Sequence, residues 1–186
     1  MHTELNSLHD IHEHLWKELG RACLDRHHEW RQFTLASIGM DNEPNARTVI
    51  LRHVDRISAR LVAYSDSRSP KVSELLKDPH ALFLFWSKRL NWQLRIKVTM
   101  TVLTSGPYVE NLWERVKQSA SARDYISSCP PGYPLNDRSF QEMKDDDSNF
   151  FAVLQGYVSE VDWLELSKKG HRRAKFVGSS SEWITP

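Results

Sequence analysis

Residues 46–71 read A-R-T-V-I-L-R-H-V-D-R-I-S-A-R-L-V-A-Y-S-D-S-R-S-P-K, and their pattern is strand, turn, strand, helix start. Arg47, Thr48, Val49, Ile50, Leu51 and Arg52 alternate enough for a half-buried strand with a cation at each end. Residues 59–64 form a second apolar run ending in Tyr64. Ser65, Ser67, Arg68, Ser69, Pro70 and Lys71 then fall within seven positions. Hydroxyls, two cations and the outward N–H groups of a helix start suit a phosphate dianion, and Arg47 offers a forked donor set from the neighbouring strand. Two readings stay open here: a phosphate-anchored cofactor site, or a solvated hairpin end followed by an ordinary capped helix with proline in its first turn.

The rest of the chain supplies the frame. Residues 7–23 read as an amphipathic helix, with Leu8, Ile11, Leu15, Leu19 and Ala22 on one face and Ser7 as its cap. Residues 30–39 alternate as a first strand, and 41–45 make a turn. A short helix runs from Ser69-Pro70 to Lys77 and stops before Pro79. Residues 81–86 have strand length. Residues 92–104 form a long strand with Leu94, Ile96, Val98, Met100 and Val102 on one face and Gln93, Arg95, Lys97, Thr99 and Thr101 on the other. That polar face is a solvated surface or one wall of a site. Helices are expected at about 107–118 and 121–127, a weak one at 139–147, and a rigid Pro-rich loop at 129–134. Three closing strands follow at 150–160, 161–167 and 171–177, with 178–181 as a flexible tail. Strands at hairpin spacing disfavour a parallel sheet and favour an antiparallel barrel with helices outside.

Composition narrows the function. With 186 residues the chain is expected to be one domain: 1–28 carries the N-terminal helix and 178–186 a tail. A formal net charge of +1 gives no global field that would steer the chain to nucleic acid or to acidic membranes. Cys23 and Cys129 read as free thiols, and the polar first ten residues lack a signal-peptide core, so a cytoplasmic location is expected. The histidines at 9, 12, 14, 27 and 28 do not fall at metal-binding spacing, and they read as solvated helix-face residues. The three aspartates at 145–147 read as a solvated helix end or loop, so no metal site is expected.

Four blocks then carry a resemblance: R-T-V-I-L-R (47–52), Y-S-D-S-R-S-P-K (64–71), L-N-W-Q-L-R-I (90–96) and V-D-W-L-E-L-S-K-K-G-H-R-R-A-K-F (161–176). In this order they resemble the pyridoxamine 5'-phosphate oxidase family, and most of all its divergent oxidase-related FMN-binding branch. The resemblance implies a mainly β, six-stranded antiparallel split barrel that works as a homodimer, with FMN in a groove between subunits. Residues 47–52 would run alongside the flavin. Arg47, Ser65 and Lys71 would hold its phosphate, Tyr64 would pack beside it, and Gln93 would bond the polar edge of the ring. Trp163 and Arg173 would come from the partner chain. The redox chemistry would be the flavin's, with no protein acid or base required.

Departures from the family pattern fall into two groups. Pro70 stands where the phosphate turn usually has arginine, and Arg68 is the candidate to compensate. On the substrate side, Arg52 replaces a lysine, and Trp113, Lys117 and Ser121 stand where Tyr, Arg and Ser are expected. Lys169-Gly-His171 replaces Arg-x-His, and the closing arginine is absent from Ile184-Thr-Pro186. The cofactor half is kept and the substrate half is rewritten. The reading is an FMN oxidoreductase for a small anionic molecule, with Lys117, Ser121, Lys169 and His171 as its substrate side. The alternatives are a flavin carrier or sensor without efficient turnover, a split barrel using haem (with His171 as axial candidate) or deazaflavin, and a non-catalytic barrel with solvated cations.

Overall fold

The computed structural model describes residues 5–127, 129–134 and 149–186. Helix α1 (Leu8–Leu24) starts where Ser7 Oγ accepts from the Asp10 N–H at 3.0 Å, and it buries Ile11, Leu15, Trp16, Leu19 and Ala22. A 3-10 turn (Glu29–Arg31) leads to β1 (Gln32–Ile38), β2 (Pro44–Ile50), β3 (His53–Asp55) and β4 (Arg60–Asp66). Then come α2 (Pro70–Lys77), β5 (His80–Ser87), β6 (Trp92–Leu103) and α3 (Pro107–Lys117). After a 3-10 segment (Ala120–Tyr125) the chain ends in β7 (Phe151–Glu165), β8 (Arg172–Val177) and β9 (Ser180–Ile184). The weak helix expected at 139–147 lies outside the described residues.

The strands form one antiparallel sheet in the order β2-β1-β5-β6-β7-β4-β3, with β8 on β7 and β9 on β8. The class is the expected one, mainly β with peripheral helices, but the sheet is not a closed six-stranded barrel. Among the described residues it has nine strands. Its two flanks approach where the Arg52 N–H, just past β2, donates to Val62 O of β4 at 2.8 Å, yet no ladder joins β2 to β4. The split is bridged by α2. Two other expectations change. The strands expected at 150–160 and 161–167 are one continuous β7, whose register against β6 shifts between Lys97 and Val98 and so bends the pair without breaking it. The expected flexible tail at 178–181 instead contains a turn at Gly178, with φ +56°, and enters β9.

The inner face of the sheet packs Phe33, Phe83, Phe85, Leu94, Trp92 and Trp163 against α1 and Trp30. Each fully buried apolar side chain contributes roughly 1.5–3 kcal/mol. Gly156 of β7 is required here, because a Cβ would lie 2.8 Å from Phe83 Cζ. A second cluster of Val62, Val109, Trp113, Tyr125, Phe151 and Val153 seats α3 and the 3-10 segment on β4 and β7. Glu18 fastens α1. It is buried and accepts from Arg21 at 2.5 Å, from Arg89 of the β5–β6 turn, and pairs with His28 at 3.2 Å. His28 is therefore a buried structural residue and not the solvated histidine expected. Among the described residues no helix is long and apolar enough to cross a membrane.

Candidate functional site

The centre of the site is the split under α2. Ser69 stands at the N-cap position of the helix without a side-chain capping hydrogen bond, and Pro70 occupies its first turn. Lys71 and Glu74, three residues apart, share one helix face and reach opposite flanks of the split. Glu74 is buried and collects Arg47 Nη2 at 2.7 Å, Ser37 Oγ at 2.6 Å and Asn45 Nδ2 at 2.9 Å from β1 and β2. Lys71 Nζ donates to Ser69 Oγ at 2.5 Å and Ser65 Oγ at 3.2 Å. Among the described residues no carboxylate comes within ion-pair distance of Lys71. Burial, and then the nearby Arg47 charge, hold its ammonium below the ordinary lysine pKa. A half-buried ammonium beside a guanidinium, with two hydroxyls in reach, is an arrangement that a bound anion would stabilise.

Arg68 has a different role from the one expected. Its Nε and Nη2 donate to Asp66 at 3.1 and 2.7 Å, Nη2 also donates to Ser127 O at 2.7 Å, and its guanidinium lies 3.3 Å from the Phe150 ring centroid. Buried Asp66 thus engages the side chain proposed to replace the missing arginine, and Arg68 ties the turn to the segment after the 3-10 helix. Along 47–52 the faces split. Val49 and Leu51 are core, whereas Thr48 is exposed and Ile50 half-buried. Arg52 sits 5.6 Å from the Tyr64 ring centroid, and its buried Nε has no hydrogen-bond partner among the described residues. Burial raises the pKa of both Tyr64 and Tyr125 beside it.

Gln93 and Arg173 belong to another surface. Gln93 pairs with Trp86 and Leu164, and Arg173 pairs with Leu164 and Ile184. Cross-strand partners share a face, so Trp86, Gln93, Leu164, Arg173 and Ile184 make one row across the outer face. Trp163 does not join it. It pairs with Leu94 and Ala174 on the inner face, is fully buried, and meets Trp92 edge-on at 5.2 Å. The side chain expected to close a partner's groove is enclosed by its own chain, because the alternation that turns Asp162 and Leu164 outward turns Trp163 inward.

Along β7 the positions of Ser65 and Arg173 lie well apart. Strands β4 and β8 follow one another along β7, with Ser65 opposite Ala152 and Arg173 opposite Leu164. Those twelve residues correspond to about 40 Å of strand contour. Of the substrate-side residues, Lys117 ends α3 and Ser121 lies in the 3-10 segment, whose Tyr125 and Ala122 pack in the cluster that Tyr64 joins. Lys169 and His171 sit far away on the exposed β7–β8 turn, where His171 Nδ1 accepts from the Ser167 N–H at 3.1 Å. That turn borders a groove of about 570 Å³ with Arg89, Asn91, Lys168 and Arg172. Glu74, Ser37, Asn45 and Asp66 were not expected at the site, whereas Ser69 belongs to the hydroxyl set of the phosphate turn. The three-residue spacing of Lys71 and Glu74 was the available signal.

The family model for the FMN-binding domain of pyridoxamine 5'-phosphate oxidase matches residues 13–104. The chain is 31% identical over 165 residues to pyridoxine/pyridoxamine 5'-phosphate oxidase 2 of Arabidopsis thaliana, covering 81% of this chain and 83% of that protein. It is 27% identical over 168 residues to the pyridoxine-5'-phosphate oxidase of Dictyostelium discoideum, covering 82% and 71%. In fold it is similar to a pyridoxamine 5'-phosphate oxidase-related, FMN-binding protein of Nostoc punctiforme (TM-score 0.75, 21% identity, 99% and 100% coverage). It is also similar to PhzG of Burkholderia lata, solved with tetrahydrophenazine-1-carboxylic acid (TM-score 0.73, 17% identity, 95% and 92% coverage).

Proposed function

Because the chain belongs to the pyridoxamine 5'-phosphate oxidase FMN-binding family, we propose that it is an FMN-dependent oxidoreductase acting on a small anionic molecule. Its cofactor is FMN. The observation that carries the placement of that cofactor is Lys71, an ammonium held by two serine hydroxyls beside Arg47, with Asp66 and Glu74 nearby but, among the described residues, no carboxylate at ion-pair distance. The flavin phosphate is the dianion that this group would take up, with Arg47, Ser65, Ser69 and Lys71 as its partners. Arg68 shapes the turn through Asp66. Bound FMN supplies electron-pair transfer at its ring. The chain's own groups bind and orient it, with strand 47–52 and Tyr64 alongside and Gln93 and Arg173 directed at the polar edge of the ring.

The separation of Ser65 from Arg173 along β7 supports a homodimer in which each flavin uses the split of one protomer and the outer row of the other. The partly exposed Trp86 and the Ile184 edge of that row fit such a contact. The elements that carry Lys117 and Ser121 bring Arg115 and Tyr125 to the Arg52–Tyr64 side of the split, and in this arrangement the partner's turn bearing Lys169 and His171 completes the substrate side. The test is titration of flavin-free protein with FMN and with riboflavin, alongside sedimentation analysis. The expected result is tight FMN binding, much weaker riboflavin binding and one FMN per chain of a dimer. Equal affinity for both flavins would reject the phosphate site. Pyridoxine and pyridoxamine phosphates, assayed in air for peroxide, test the parent activity.

A further inference from the structure

Arg173 is not held on the outer face by packing alone. Asp162, one row away on β7, is 7% exposed and accepts from Arg173 Nε at 2.9 Å and Nη2 at 2.6 Å. Its Oδ2 also faces Arg95 Nη1 at 3.4 Å. Lys175 is the other nearby cation, opposite Asp162 in the ladder. A two-point carboxylate contact fixes both the position and the plane of a guanidinium. It engages the Nε–Nη2 edge and leaves the Nη1 edge for another acceptor. Burial raises the pKa of this carboxyl, but Arg173, and then Arg95 and Lys175, outweigh it and hold the group below the ordinary aspartate value, so the clamp is charged at neutral pH.

We propose that Asp162 is a positioning residue that orients Arg173 toward the flavin. This rests on the FMN reading above. It carries an unusual sign. FMN is an anion, so a carboxylate close to its site would weaken binding if it acted through charge alone, and removing it would tighten binding. If Asp162 acts by orienting Arg173, removing its charge and one acceptor weakens binding instead.

The test is a double-mutant cycle on FMN affinity, read by quenching of flavin fluorescence with the full chain. Asp162→Asn is expected to weaken FMN by about tenfold, the loss of one charge-assisted contact. Arg173→Ala is expected to weaken it at least as much, and the double variant no further than Arg173→Ala alone. Asp162→Glu, which keeps the carboxylate, should recover part of the loss. Arg95→Ala, which leaves both Arg173 contacts in place, should change FMN affinity less than twofold, on the order expected of an exposed pair, and it controls for general loosening of the sheet. Unchanged or tighter binding in Asp162→Asn overturns the proposal, as do additive losses in the double variant. If Arg173→Ala binds FMN normally, Arg173 leaves the groove and the proposal falls with it. Wild-type protein that takes up no FMN would refute the cofactor site itself, a distinct result.

Discussion

Replacing Lys71 with methionine removes one positive charge from the split and keeps most of the side-chain volume. In the flavin-free protein this costs little, because among the described residues Lys71 has serine hydroxyls as its hydrogen-bond partners, and burial and Arg47 outweigh the favourable charges of Asp66 and Glu74. Thermal stability should therefore hold or rise slightly. With FMN present the balance reverses. A charge-assisted hydrogen bond to phosphate contributes about 1.5–3 kcal/mol, and the half-exposed setting of Lys71 favours the lower part of that range. Lys71→Met should then raise the FMN Kd by about 10- to 30-fold, at 1.4 kcal/mol per tenfold. Riboflavin, which has no phosphate, should bind the variant and the parent alike. The assay is fluorescence titration of both flavins against both proteins at fixed salt, with thermal melts of the apo forms. A loss shared equally by FMN and riboflavin would refute the reasoning, since it would mean that Lys71 shapes the ring site or the fold. No loss for either would place the phosphate elsewhere.

Arg47→Ala should lower FMN affinity and also destabilise the apo protein by about 2–3 kcal/mol in chemical denaturation, because buried Glu74 loses its ion pair; this combination separates it from Lys71→Met. Lys71 also sets a pH dependence. Its folded pKa is depressed, so between that value and the ordinary lysine value the unfolded chain binds more protons, and apo stability should rise with pH across that window. FMN needs the protonated amine, so FMN affinity should fall across the same window, and an affinity flat to pH 10.5 would count against the contact. Gly156→Ala should cost about 1–3 kcal/mol in a thermal or urea melt, because its Cβ meets Phe83 at 2.8 Å.

The phosphate turn was legible because its chemistry is local: hydroxyls, cations and a proline-started helix fall within seven residues. The apolar side of β6 was legible too, since a buried sheet face writes a period of two into the chain. What escaped depends on distant segments. Glu74 looks like an ordinary helix-face acid until β1 and β2 bring Ser37, Asn45 and Arg47 to it. Arg68 looked available for phosphate because nothing in sequence reveals that Asp66, two residues before it, is buried and turned toward it. Strand β9 opens Ser-Ser-Glu before Trp183 and Ile184, and its pairing with β8 is what makes it a strand. Trp163 was misplaced by following the resemblance over the alternation of Val161 and Trp163 with Asp162 and Leu164. That pattern was there to be read.

The most direct test of the shared flavin site is a crystal structure of the protein grown with FMN. The expected result has phosphate oxygens within about 3 Å of Lys71 Nζ and the Ser65 and Ser69 hydroxyls, beside Arg47. The polar edge of the ring should then lie against Gln93 and Arg173 of a second copy. A phosphate bound instead at the Lys168–Lys169 groove, or a flavin contacted by one protomer alone, would contradict it.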